Sequence, residues 1–307
     1  MEICEVLGLG VSTLDILSLV DHFPTGDGVQ RAGALTLQGG GPVATAMATL
    51  ARLGAKTAML DSLGDDWRAA FIRDEFLNLG VEIDLIRSHP GRTSSTACVL
   101  VHQSDGARAI IYSPGDAPEL EEKDLPLDVI RSIKFLHLNG RHWSACLPAA
   151  RFAKSCGVQV SFDGGAQRFR PELQALIPLC DVCIVAQDFA KSYTDLDDSE
   201  AAARAILRDG PILVVVTAGL DGSWIFPSDA PCFHQPAFSM PSVVDTTGCG
   251  DSYHGAFLFG LLRGYSLSDT AALASAVAAM NSQALGGRSA LPTLPQVMDF
   301  IKVRRIM

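Results

Sequence analysis

Apolar runs of strand length recur along this chain, and helical patterns separate them. Val6 to Leu9, Thr57 to Leu60, Phe135 to Leu138, Val158 to Phe162, Val182 to Val185 and Ile212 to Thr217 are short and nearly unbroken in apolar character. That is the signature of strands buried on both faces. Between them Val43 to Leu53, Trp67 to Leu79, Pro148 to Cys156 and Ser199 to Leu207 carry helical spacing. The last third is helical, over Asp251 to Leu262, Asp269 to Leu285 and Leu294 to Ile301. Parallel strands need crossover connections, and helices on both faces are what make the strands continuously apolar. The order therefore predicts an α/β fold with a mainly parallel central sheet covered on both sides.

Two segments interrupt this rhythm. "TSSTACVLVHQSDGARAIIY" alternates around Ser104-Asp105-Gly106, a hairpin signal, and "SLVDHFPTGDGVQRAGALTL" reads as short strands with Gly/Pro turns. Neither forms a strand–helix–strand unit. Together, over about 12–38 and 92–115, they are expected to form a small β lid above the carboxyl ends of the strands, where open α/β sheets bind ligands. Nothing else along residues 1–307 reads as a linker, so one domain with this lid is expected.

The composition limits what such a fold can serve. With 48% hydrophobic and 19% charged residues the chain is too apolar for disorder. A formal net charge of −10 weighs against nucleic acid or an anionic membrane as partner, though a local basic pocket stays compatible with a small anion. The start, "MEICEVLGLGV", has acids where a secretory leader has Lys or Arg, and no apolar stretch reaches the length of a membrane span. The eight cysteines are scattered apart from Cys180 and Cys183, whose C-x-x-C lies inside an apolar strand pattern and reads as buried thiols. A reduced, cytoplasmic protein is expected.

The chemistry concentrates in "VVDTTGCGDSYHGAF", Val243 to Phe257. Gly248-Cys249-Gly250 opens a helix, where glycines let several unpaired N–H groups face one point, and the helix dipole adds positive potential. That makes an anion site. Asp251 beside it would repel a resting phosphate. It makes sense where a hydroxyl must lose a proton while a phosphoryl group arrives. The plainer alternative is an Asp that caps the helix. No Gly-Lys-Ser/Thr follows, so this is not a Walker loop, and Gly8-x-Gly10 lacks the third glycine of a dinucleotide turn. A second glycine run, Gly39-Gly40-Gly41, precedes an Ala-rich helix ending at Gly54 and would let a ligand approach the backbone.

These stretches, in this order, resemble the ribokinase-like carbohydrate kinases of the phosphofructokinase-B group over nearly the whole chain. The carriers are the Gly-Gly segment leading to Ala-Arg-Leu-Gly, then Gly64-Asp65-Asp66, "VVVTAGLDGSWIF", Asp245 to Asp251 as Asp-Thr-Thr-Gly-x-Gly-Asp, and "ALGGRSALPT". The resemblance implies a three-layer αβα ribokinase-like core with a β lid, and phosphoryl transfer from ATP to a sugar hydroxyl. It implies Asp251 as general base, with Gly248, Cys249 and Gly250 as anion hole. It implies Asp15, beside Gly40, Gly41 and Thr45, as the sugar grip. Thr217, Gly219, Gly222 and Asn281 fall at nucleotide-binding positions, and Asp245 and Thr247 at those of a monovalent cation such as K+. Mg2+ would accompany ATP. A homodimer is expected, as in several family members.

The chain departs from the family at three places. Thr45 stands where Asn is usual, and Cys249 where Ala is usual. The Asn-x-x-Glu motif that organises magnesium falls on Ala186 to Phe189, with Gln187 and Asp188 off register. Local spellings ("GGGPVATA", "HQPAF" before "VVDTTG", "HGA" and "GGR") are similar to the sulfofructose kinase branch. There Arg141 would hold a sulfonate, while Val29 and Tyr112 occupy the positions of its Lys and Asn partners. A sulfonated or phosphorylated sugar and a neutral one both stay open, as do a nucleoside kinase and a non-catalytic sugar sensor.

Overall fold

The structure, a computed structural model, describes residues 4–306; the ends of the single-domain span expected over 1–307 (residues 1–3 and 307) lie outside the described residues. In chain order the first half runs β1 (Val6–Leu9), β2 (Thr13–Val20), β3 (Ala34–Gly40), α1 (Pro42–Leu53), β4 (Thr57–Gly64), α2 (Trp67–Leu79), β5 (Val81–Glu82), β6 (Ile86–His89), β7 (Thr96–His102) and β8 (Arg108–Ser113). It continues with α3 (Leu127–Ser132), β9 (Phe135–Leu138), α4 (Trp143–Ser155), β10 (Gln159–Gly164), β11 (Val182–Ala186), α5 (Gln187–Thr194), α6 (Ser199–Arg208) and β12 (Leu213–Thr217). A hairpin of β13 (Ser223–Pro227) and β14 (Phe233–Gln235) precedes α7 (Cys249–Leu262), α8 (Leu267–Asn281) and α9 (Leu294–Ile306).

The strands form two sheets. The larger has the order β14-β13-β12-β11-β10-β9-β1-β4-β5, with β6 also pairing with β4; it is parallel from β12 to β5 and antiparallel only through β13 and β14. The smaller has the order β3-β2-β7-β8, antiparallel at its outer pairs and parallel between β2 and β7. Successive side chains of the large sheet feed opposite cores. Val6, Met59, Phe135 and Ile184 pack under α1, α2, α7 and α8, while Leu7, Leu60, Leu136 and Val185 pack under α4, α5 and α6. This is the expected mainly parallel α/β architecture with helices on both faces. None of the described helices is long and apolar enough to cross a membrane.

The register lines up the strand ends. Leu9 of β1 sits opposite Leu60 and Leu138, Leu138 opposite Phe162, and Ala186 opposite Thr217. The loops that follow these ends therefore open on one rim.

Three elements differ from the sequence expectation, two in a boundary and one in its existence. Helix α4 begins at Trp143, so Pro148 lies inside it rather than at its start. The missing N–H forfeits one bond near the N-terminus, and the burial of Ala145, Cys146, Ala149 and Ala153 offsets that loss. Helix α8 stops at Asn281, because Leu285 is drawn out to pack against the small sheet before the Gly286 turn. Helix α5 was not expected: it has eight residues and starts directly where β11 ends, so the apolar run of the strand hides its beginning.

Candidate active site

A cleft of about 1290 Å³ lies between the rim of strand ends and the inner face of the small sheet. Ala97, Val99, Ile110 and Tyr112 supply the small-sheet wall; Asn139, Arg141, Asp163 and Arg168 come from loops and strand ends opposite.

The first turn of α7 forms part of the floor. Gly248, its N-cap, has φ 70° and ψ 0°, and a Cβ there would lie 2.6 Å from the Gly287 Cα. Only glycine fits both the left-handed backbone and the close approach. The N–H groups of Gly250 and Asp251 belong to the first helical turn, which has no carbonyls a turn before it, and Gly248, Cys249, Gly250 and Asp251 all line the cleft. Burial pushes the Asp251 carboxyl above its ordinary pKa; Arg168 opposes the rise and Asp163 adds to it. Arg168 Nη1 stands 3.9 Å from Asp251 Oδ1 and 3.7 Å from Asp163 Oδ2. Burial drives the Cys249 thiol up to about 12, so it stays protonated and unreactive.

Asp15, on β2, faces the same cleft. It accepts a hydrogen bond from Thr13 Oγ1 at 2.6 Å, and burial raises its pKa to about 6 against the opposing pull of Thr13 and Arg288. The adjacent glycines keep that carboxylate accessible. A side chain at Gly40 would collide with the Asp15 carboxyl, and one at Gly41 (φ 95°) with the Val11 carbonyl. Thr45 is elsewhere: it is buried in α1, and its Oγ1 accepts from Arg288 Nε at 3.1 Å. Arg288 also donates to the Gly40 carbonyl at 2.9 Å, pairs with Glu75 and lies over Phe76, so it clamps the closing loop between α8 and α9 onto the Gly-Gly segment.

At the other end Thr217, Gly219 and Gly222 line the cleft. Asn281 does not. It is fully buried and its Nδ2 donates to the Gly287 carbonyl at 2.8 Å. Ser275, Ala278, Ala279 and Ser282 form the helical stripe that faces the cleft, and Asn281 falls roughly 120° round the helix from it. Asp245 is likewise fully buried; Oδ1 accepts from Thr247 N at 2.7 Å and Oδ2 from Gly286 N at 2.8 Å, which pins the loop before α7 to the closing loop. Thr247 Oγ1 is buried without a hydrogen-bond partner, the kind of orphan oxygen a cation would satisfy.

Arg141 donates from Nη2 to the Tyr112 hydroxyl at 3.2 Å and lies 5.8 Å above that ring, joining the two walls; among the described residues it has no carboxylate partner. Val29 is fully exposed and away from the cleft. Gln187 and Asp188 line the cleft where β11 ends. Sequence reasoning passed over Arg168, Arg108, Asp163 and His254. Arg108 reaches from the small sheet to donate to Thr246 Oγ1 at 2.9 Å, just ahead of the α7 turn. The signal for Asp163 and Arg168 was "DGGAQR", an Asp at a strand end followed by Gly-Gly and an Arg.

A model of the pfkB family carbohydrate kinases matches residues 5–294. The chain belongs to that family. It is similar to the ketohexokinase of Mus musculus, 28% identical over 280 residues that cover 88% of this chain and 93% of the relative. It is similar also to a nucleoside kinase of Methanothermobacter thermautotrophicus, 27% identical over 300 residues covering 94% and 92%. The structure of Arabidopsis thaliana ribokinase with ribose and ATP shares the fold, with a TM-score of 0.82, 24% identity and coverage of 97% of this chain and 99% of that one. In this pfkB family member, then, the Gly-rich α7 turn and the Gly40-Gly41 turn, separated by some two hundred residues in sequence, open into one cleft.

Proposed function

We propose that this chain transfers the γ-phosphoryl group of ATP to a hydroxyl of a sugar, with Asp251 as general base. The observation that carries this reading is the pairing, in one cleft, of an unsatisfied helix N-terminus with a partly buried carboxylate at that same terminus. Asp251 takes the proton of the attacking hydroxyl. The new O–P bond forms as the bond from γ-phosphorus to the ADP oxygen breaks, and the Gly248–Gly250 turn holds the charge on the transferring group. The raised pKa, caused by burial and opposed by Arg168, makes Asp251 a stronger base than an exposed carboxylate.

Asp15 accepts hydrogen bonds from sugar hydroxyls, and the small sheet closes over them as a lid. Thr217, Gly219 and Gly222 lie on the nucleotide side. Magnesium, arriving with the nucleotide, supplies charge neutralisation; Asp188 is the cleft carboxylate that fits its shell of waters. A monovalent cation fits at Thr247 Oγ1, beside the buried Asp245 charge.

Arg141 extends the reading to the substrate. A guanidinium facing the cleft without a carboxylate partner suits a sugar bearing a sulfonate or phosphate. Among the described residues of the small sheet that line the cleft, Tyr112 is the only aromatic, and Arg141 already covers its ring, which leaves a nucleobase little to stack on at that wall. The test is ATP consumption with neutral ketoses and aldoses, their anionic counterparts and nucleosides. Turnover of nucleosides alone, or sugar binding without ATP consumption, would overturn the proposal.

A further inference from the structure

Beside Asp251 lies a cluster that phosphoryl transfer does not use. His137 of β9, Asp163 of β10 and His254 of α7 each offer a ligand atom, and these atoms lie within 4.8 Å of one another. The placement follows from register. His137 pairs with Ser161, and Asp163 lies two residues further along β10, on the same face. His254 comes one helical turn after Asp251 and meets that face from above.

All three residues are buried, at 0%, 2% and 4% exposure respectively. Yet neither carboxylate oxygen of Asp163 has a hydrogen-bond partner, and neither do His137 Nε2 and His254 Nδ1. The nearest charged contacts, His254 Nε2 to Asp163 Oδ1 at 3.6 Å and Arg168 Nη1 to Asp163 Oδ2 at 3.7 Å, are too long for hydrogen bonds. Such a concentration of unsatisfied acceptors in one place is costly, and native structures resolve it with a proton, a water or a cation.

Two neutral imidazoles and one carboxylate are the donor set of borderline divalent metals; magnesium prefers oxygen throughout. Ser161 Oγ, 3.2 Å from His137 Nδ1, fixes that ring's orientation from behind, as outer-shell partners of metal ligands do. We propose that His137, Asp163 and His254 form a binding site for a divalent transition metal of the zinc class, separate from any magnesium that accompanies the nucleotide. Zinc holds such ligands at about 2.0–2.2 Å, so small side-chain rotations would bring the donors together. Asp163 and His254 line the cleft whereas His137 lies behind it, so the open coordination position faces the cleft next to Asp251.

The test uses the full chain, stripped with a chelator and free of nucleotide. Zn2+ is titrated by calorimetry into wild type, His254→Gln and the isosteric Asp163→Asn, and Co2+ absorption reports the ligand type. The expected result is one equivalent bound by wild type, affinity weaker by about 100-fold or more in each variant, and a Co2+ spectrum without thiolate charge transfer. Zn2+ should also raise the thermal midpoint of wild type and leave those of the variants unchanged. Absence of stoichiometric uptake by wild type overturns the site without reference to any variant's folding. Undiminished uptake by both variants, or a thiolate band marking cysteine ligation, overturns it equally.

Discussion

A carboxylate inside a cleft is costly to ionise, and this cleft holds two, Asp15 and Asp251, whose pKa values burial raises. Asp251→Asn keeps the size and hydrogen-bonding shape of the side chain but cannot accept a proton. Phosphoryl transfer should fall by about 10²–10⁴-fold while nucleotide affinity is kept, and near-normal turnover would remove Asp251 from the role. Asp15 has an unusual pH signature, because its pKa is raised to about 6. Only the ionised form accepts from two sugar hydroxyls, so KM for the sugar should climb as pH falls through about 6. Stability should move the other way. The native state holds this proton more tightly than the unfolded chain, so the cost of ionising it is present above about 6 and disappears towards the ordinary carboxylate range. Asp15→Ala should abolish the pH dependence of KM and weaken sugar binding, with nucleotide affinity little changed; calorimetry with each ligand separates the two. For Arg141, kcat/KM with matched neutral and anionic sugars decides the substrate class. Arg141→Ala should penalise the anionic sugar several-fold more, and an unchanged ratio would remove the anion clamp while leaving the kinase intact.

At the scale of elements, α7 shows how packing determines sequence. It is buried on nearly every side, against α1 and α8, and two glycines let it approach them. A Cβ at Gly255 would run into the Ala46 carbonyl, and one at Gly260 would lie 2.6 Å from Thr270 Oγ1. Gly255→Ala would gain about 1 kcal/mol in helix propensity, yet should destabilise the protein by about 1–3 kcal/mol, because backbone of α1 would have to move. A variant of unchanged or higher stability in urea would show that α1 yields freely. The same packing explains what the sequence made visible. Phe135–Leu138 and Trp67–Leu79 fall where their apolar patterns put them: every residue of β9 is buried, and α2 buries Ala69, Ile72 and Phe76 at helical spacing. The start of α4 was masked by Pro148, whose helix-breaking tendency yields to the apolar side chains on either side of it. Within the cleft, Asp251 and the Gly40-Gly41 turn announce themselves by glycine. Asp163, Arg168 and His254 do not, since their meaning depends on which strands become neighbours. Asn281 sits in a suitable helix but on the wrong side of it, a rotation that residue type cannot reveal.

Over the whole molecule, the small sheet has two faces that register separates cleanly. Ala97, Val99, Ile110 and Tyr112 look into the cleft. The alternate residues Leu37, Ile16, Cys98 and Ile111 form a row across β3, β2, β7 and β8, with Leu35, Ser18, Leu100 and Ala109 beside it. In this outer face Ile111 is 71% and Leu35 66% exposed, and Cys98 is also exposed. A chain that spends 48% of its residues on apolar side chains can bury them in its two main cores, so an aliphatic patch left on a four-stranded sheet needs a reason. Isolated exposed aliphatics are ordinary, but a contiguous row of them on a sheet with two free edges invites association. The homodimer expected from the sequence would use this face: a two-fold axis through it would bring identical apolar rows together and shield both. It would also brace each lid against its partner, so that closing over the sugar and assembling the dimer would share one surface. The measurement is mass in solution by light scattering at micromolar concentration. Wild type should have twice the chain mass, and Ile111→Asp, at the centre of the row and pointing away from the cleft, should have the mass of a single chain and a higher KM for sugar. A monomeric wild type, or an Ile111→Asp protein that remains dimeric, would exclude this face as the interface.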